Sequence, residues 1–159
     1  MLHINIICLG KIKEEYLKKG IDEYKKRLSR FCDLKITELI DEKIPENARE
    51  KEEKQIKEKE GKKIISVIKD KDFVIAMDLK GKEIDSIEMA KKIEEISNNY
   101  SDIDIIIGGS LGISEEVLNR ANYKLSFSKL TFTHQLARIL LLEQIYRSFK
   151  IINNEQYHK

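Results

Sequence analysis

Tryptophan is absent from this 159-residue sequence, proline occurs once (Pro45), and glycine only seven times. Nothing in it resembles a flexible Pro/Gly linker, and the length suits a single domain spanning residues 1–159. Its two cysteines, Cys8 and Cys32, form neither a CxxC pair nor a Cys/His ligand set, which excludes a zinc ribbon or a redox dithiol. In a lysine-rich chain they are expected to be reduced, buried thiols in a cytoplasmic protein. The opening MLHINIICLG has no basic n-region and no long apolar h-region, so it reads as a first strand. No apolar run approaches the roughly 20 residues of a membrane span. Three histidines (His3, His134, His158) lie far apart in sequence and do not make a metal site by spacing. No Ser-His-acid triad, HExxH or DxD pair supports a hydrolase or a metal enzyme.

Charge, by contrast, is plentiful at 36% of residues, beside 41% hydrophobic. The net charge of +2 hides an asymmetry. From Arg120 onward seven Lys/Arg stand against two acids, giving +5, while the first 119 residues carry −3. A basic C-terminal quarter suggests an anionic partner such as nucleic acid, or else a solvated basic face.

Periodicity orders the chain. HINIICL (3–9) reads as a strand. The helix after it has Leu17, Ile21, Tyr24 and Leu28 on one stripe. DLKITELI (33–40) is a second strand, and 49–69 a charged helix with i,i+4 Glu/Lys pairs. That helix is expected to reach the core only through Ile64, Ile65, Val67 and Ile68. FVIAMDL (73–79) is a buried strand closed by a glycine turn in LKGKE. A third helix (86–99) has Ile87, Ala90, Ile93 and Ile96 on one stripe. DIDIIIGG is the next strand, followed by a short helix with Ser114 as N-cap. YKLSFSKL (123–130) reads as a strand, and Thr133 to Ile152 as a last helix. Alternation of this kind predicts an α/β fold, a mostly parallel sheet with helices on both faces. Ligands in such sheets bind beyond the carboxyl ends of the strands. The last helix is apolar on more than one face, with Ile139 to Leu142 in an unbroken run, and is expected to need a second partner such as another subunit.

Two stretches suggest chemistry. IIIGGSLGISEEV has a glycine turn between strand and helix, but neither a Walker nor a GxGxxG spacing. Glu115 and Glu116 would repel a polyphosphate at the helix start. The glycines serve either a tight turn or the close approach of something flat. In LSFSKLTFTHQLAR, Ser128 and Thr131 can hydrogen-bond a polar ligand, while Phe127 and Phe132 flank a heterocycle or belong to the core. His134 stands near a helix N-terminus, where a neutral imidazole can accept a proton or simply cap and pack.

IIIGGSLG, NYKLSFSKLTFTHQLARILLLEQIYRSFKI and the terminal QYHK together resemble the RlmH family of the SPOUT methyltransferases. The opening INIICLGKIKEEYLKKGIDEYKKRL and DEKIPEN extend the likeness over essentially the whole chain. The resemblance implies a SPOUT-type α/β fold with a C-terminal trefoil knot, a homodimer, and S-adenosylmethionine bound by Met77, Gly108, Phe127, Ser128, Lys129, Leu130, Thr131 and Phe132. Met77 stands where the family pattern has leucine, and Thr133 where it has proline. The implied reaction is methylation of N3 of a pseudouridine in the helix 69 loop of 23S rRNA on assembled 70S ribosomes, without a metal or a membrane. His134 is then the candidate base or orienting group and Arg138 the electrostatic stabiliser. Arg147, Tyr157, His158 and Lys159 are candidates for closing over the RNA. A non-catalytic RNA- or ribosome-binding protein that keeps the knot is the alternative; its glycine and FSKLTF segments would then have no ligand.

Overall fold

A computed structural model describes residues 1–158. Ten elements follow the alternation expected: β1 (His3–Leu9), α1 (Glu15–Leu28), β2 (Asp33–Leu39), α2 (Glu50–Ser66), β3 (Phe73–Glu83), α3 (Ser86–Ser97), β4 (Asp102–Ile107), α4 (Glu115–Arg120), β5 (Tyr123–Ser126) and α5 (His134–Ile152). All five strands are parallel, in the order β2-β1-β4-β3-β5. Strands buried on both faces explain the near-continuous isoleucine of β1 and β4. On one face Ile4, Ile6, Ile103, Ile105 and Ile107 pack with Leu17, Ile21, Ile93, Leu141 and Ile145 of α1, α3 and α5. On the other, Ile7, Val74 and Ile106 pack with Ile64 of α2 and Val117 of α4. Cys8 and Cys32 are free and buried, and burial pushes both thiols up, to about 11 and about 12.

Several local expectations are corrected. LKGKE does not close β3; the strand continues to Glu83 through an irregularity between Met77 and Lys82. Gly81 lies inside it, because a Cβ there would come within 2.8 Å of the Leu125 backbone. β5 ends at Ser126, four residues earlier than alternation suggests. Ile87 and Val67 are exposed, and Met89 takes the buried place on α3. On α2, Glu60 and Gly61 are buried: Gly61 lets the helix press against Ser114, and the Glu60 carboxylate accepts the Glu42 N–H at 3.1 Å. The apolar bulk of α5 is covered largely within the chain, by α1 and α3 on either side of it. The segment from β5 to α5 begins at the β5 edge of the sheet, beside β3, and ends where Arg138 meets Leu9 and Gly10 at the end of β1. It therefore crosses the carboxyl ends of β3 and β4, a course compatible with the implied knot.

Candidate active site

Beyond the carboxyl ends of β3, β4 and β5 lies a cavity of about 660 Å³. Small-molecule sites commonly span about 300–1,000 Å³. Its walls are residues 77–79, residues 107–113, most of residues 125–133, and His134, Gln135 and Ala137 of α5. This is the place where open α/β sheets bind ligands.

The glycine turn builds one wall. Gly112 has φ +89° and donates its N–H to the Gly109 carbonyl at 3.0 Å. A Cβ on Gly108 would lie 2.7 Å from Ile113 and 2.9 Å from the Gly112 backbone. The close approach that demands glycine at position 108 is therefore the loop folding on itself. Ser114 caps α4 by accepting the Val117 N–H, as its position suggested.

The opposite wall is LSFSKLTFT. Ser126 Oγ donates to the Ser128 carbonyl at 3.1 Å, and Ser128 Oγ accepts the Leu130 N–H at 2.8 Å. These short-range bonds compete with strand pairing and fold the chain over the cavity, which is why β5 stops at Ser126. Phe127, Ser128, Leu130, Thr131 and Phe132 all line the cavity, with Met77 and Gly108 facing them. Leu130 and Phe132 remain 73% and 43% exposed. Such large apolar groups at a cavity lip mark a surface suited to being covered. Lys129 is exposed and is not among the lining residues.

His134 begins α5 and lines the cavity; Thr133 caps the helix by accepting the Leu136 N–H. Burial lowers the His134 pKa, the Arg138 charge lowers it further, and Asp41 opposes them. The imidazole is thus held toward its neutral form. Arg138, one helical turn on, does not reach the cavity. It is 1% exposed, pairs with Glu38 at 2.7 Å, and donates to the carbonyls of Leu9 at 3.0 Å and Gly10 at 2.7 Å. The resemblance implied that its charge stands at the reacting atoms. Its length and its partners, about 100 residues away or more in sequence, bury it beneath them instead.

The basic quarter is likewise mostly used inside the chain. Arg120 donates to the carbonyls of Lys69 and Asp72, Arg147 pairs with Glu143, and Lys150 with Glu155. Lys124 and Lys129 stay exposed. The candidate RNA-contacting residues are brought together at the end of α5. Arg147 lies 3.2 Å from His158 Nδ1 and 4.6 Å from the centre of the Tyr157 ring, and the Tyr157 hydroxyl donates to Glu143 at 2.9 Å. Burial and that hydrogen bond push Tyr157 up to about 12, keeping it a neutral donor. His158 borders a second hollow of about 390 Å³ that shares Leu125, Ser126 and Phe127 with the main cavity. Lys159 lies outside the described residues.

Sequence reasoning missed Asp78, which also lines the cavity. Its signal was its place directly after the apolar run FVIAM. No group of three or more His, Cys, Asp or Glu suited to a metal occurs among the described residues.

A parallel α/β sheet with a glycine loop and a hydroxyl-rich loop closing one cavity at its strand ends has the layout of a small-molecule site. The family described as "Predicted SPOUT methyltransferase" matches residues 2–158. The chain belongs to the SPOUT methyltransferases, in the RlmH family. It is similar to "Ribosomal RNA large subunit methyltransferase H" of Clostridium novyi (strain NT), 60% identical over 159 residues, covering 99% of this chain and 100% of the relative. The protein of that name from Clostridium perfringens (strain 13 / Type A) is 62% identical with the same coverage. Among solved structures, a probable methylase family protein from Haemophilus influenzae Rd KW20 superimposes with a TM-score of 0.55. The match covers 98% of this chain and 70% of that one, and at 16% identity it speaks for the fold.

Proposed function

We propose that this protein methylates ribosomal RNA with S-adenosylmethionine, at N3 of a pseudouridine in the helix 69 loop of 23S rRNA on assembled ribosomes. The relatives' printed name supports ribosomal RNA as the substrate; the base, its position and the 70S substrate rest on the family resemblance. The protein acts as a single-domain, knotted, cytoplasmic homodimer in this reading, with Leu130, Phe132 and Leu136 as apolar surface left for the second subunit to cover.

The cavity supports the cofactor. Lys and Arg are missing from its described lining, which disfavours nucleotide phosphates, and Phe127 and Phe132 offer faces for a purine. The glycine loop offers backbone groups, and Ser128 and Thr131 offer hydroxyls, to a ribose and an amino acid. One carboxylate, Asp78, suits a ligand of positive charge. When bound, the donor supplies a methyl group activated on a sulfonium. Met77, Leu125 and Ile107 form an apolar floor that keeps water from the reacting atoms. Gly108, Phe127, Ser128, Leu130, Thr131 and Phe132 orient the ligand; Lys129, at the lip, faces the RNA. Holding two reactants in line is worth up to about 7–11 kcal/mol of barrier.

His134, held neutral, accepts the proton from the imide N3 as that nitrogen attacks. Arg138 is a positioning residue: by tying the first turns of α5 to Glu38 and the end of β1, it keeps His134 at the cavity. The cluster of Arg147, Tyr157 and His158 receives the RNA beside Phe127, and Lys159 is assigned to the RNA from the sequence alone.

Labelled S-adenosylmethionine and 70S ribosomes from a strain lacking the gene test this reading. Methyl transfer to 23S rRNA is expected. His134→Ala should lower turnover about 100-fold with donor binding retained. Ribosomes left unlabelled, together with no donor binding by calorimetry, would overturn it in favour of a non-catalytic RNA-binding protein.

A further inference from the structure

Among the described residues Asp78 is the single acid that lines the cavity, and no lysine or arginine lines it. The residue is half-buried at the irregularity in β3, where Gly81 lies against the Leu125 backbone. Its carboxylate takes part in no salt bridge among the described residues, and its one hydrogen bond there is long: it accepts the Lys80 N–H at 3.4 Å. The neighbouring strand-end carboxylate Glu38 is engaged with Arg138, and Asp41 lies against Gly10 outside the cavity. A carboxylate that faces a cavity with so little of its capacity used has room for a ligand's positive charge.

Donor and product of the proposed reaction differ by one charge. S-adenosylmethionine carries a sulfonium; S-adenosylhomocysteine has a neutral thioether at the same atom. Apart from that charge and the transferred methyl group the two are the same, including the ammonium and carboxylate of the amino acid. We propose that Asp78 is the specificity-determining residue that makes the cavity prefer the sulfonium donor over the thioether product. This rests on the reading that the cavity holds S-adenosylmethionine. The extra charge lies inside one cavity with Asp78, where water is partly excluded and no described lining cation offsets the carboxylate. The preference follows from Coulomb attraction in a medium less polarisable than water. The same preference serves turnover. Once the methyl group leaves, the attraction is lost and the product is released more readily.

The hydroxyl-rich loop has a different task. Ser128 and Thr131 contact groups common to donor and product, so their substitution weakens both alike. This separates a charge effect from general damage to the cavity.

The test is isothermal calorimetry of the full-length protein with three probes: S-adenosylmethionine, S-adenosylhomocysteine and sinefungin, whose amine places a positive charge near the sulfur position. Asp78→Asn should weaken S-adenosylmethionine and sinefungin about tenfold and S-adenosylhomocysteine less than about twofold. Asp78→Glu should restore most of the preference, and Asp78→Ser should lose it as Asn does. Melting temperatures close to the parent protein's would show that the variants fold; if Asn does not fold, Ser and Glu carry the comparison. Equal weakening of all three probes, or an unchanged donor-to-product ratio, would overturn the role of Asp78. Failure of the parent protein to bind any of the three would overturn the cofactor reading instead.

Discussion

The two ends of the sheet are built on opposite principles. At the carboxyl ends of β3, β4 and β5 the chain leaves a cavity, and the apolar Leu130 and Phe132 at its lip stay exposed. At the amino ends it closes the structure with polar groups of its own. Asp72 and Asp104 are 6% and 3% exposed. Arg120 binds the Lys69 and Asp72 carbonyls at 3.1 and 3.0 Å and Asn122 Oδ1 at 3.2 Å. Asn122 in turn accepts the Val74 N–H at 2.8 Å. Burial, then a hydrogen bond with Asp72, pushes Asp104 up to about 8, so at neutral pH its carboxyl is held toward the protonated form. Asp72 Oδ1 and Asp104 Oδ2 are buried without a hydrogen-bond partner that is charged or a neutral donor among the described residues, which favours a protonated carboxyl there. One end buries its polar groups and engages most of them within the chain. The other leaves groups for a ligand and forgoes some stability.

Substitutions can break or sharpen this contrast. Arg138→Met, beneath the cavity, should show the largest effect. It strands Glu38 and the Leu9 and Gly10 carbonyls, and should cost about 3 kcal/mol, near the low end for a buried pair because Glu38 keeps contact with water. Denaturant titration measures this. Gly108→Val comes next, since its Cβ would collide with the Gly112 backbone. It should cost about 1–3 kcal/mol and abolish donor binding by calorimetry. A variant that binds the donor normally would remove the glycine loop from the site.

The closed end is tested by pH. Asp104 keeps its proton in the folded chain up to about 8, whereas the unfolded chain releases it near 3.8. Its stabilising contribution is therefore complete below pH about 4 and is lost as the pH rises toward 8. Melting temperatures of Asp104→Asn should decline less across this range than those of the parent, with donor affinity unchanged. A parallel decline in both proteins would show that Asp104 is not held protonated by the fold. The smallest effect is expected for Tyr157→Phe, which loses the 2.9 Å bond to Glu143 while the ring keeps its edge contact with Tyr146, 5.0 Å between centroids. About 1 kcal/mol or less is expected by thermal unfolding.

Much of the cavity was legible because its residues form two continuous stretches. GGSLG and FSKLTFT each lie in one loop, so neighbours in sequence are neighbours in the wall. Arg138 was misplaced, and Asp104 was overlooked, because nothing local distinguishes them; Asp78 was overlooked although it directly follows an apolar strand run. Asp104 sits in an isoleucine run, and only packing reveals that Asp72 and Arg120 come to meet it. The strand end at Ser126 was misjudged for a related reason. Alternation favoured a strand through Leu130, but Ser126 and Ser128 bond their own backbone.

The order of strands and helices needed no structure, since side-chain periodicity records which face of each element is apolar. The family, too, was readable in contiguous motifs. Folding alone decided which charges are available. The seven basic residues from Arg120 onward looked like one surface for an anionic partner, yet Arg120, Arg138, Arg147 and Lys150 are engaged within the chain. Pairing over separations such as the 100 residues between Glu38 and Arg138 depends on how the layers stack. No spacing rule along the chain encodes that stacking.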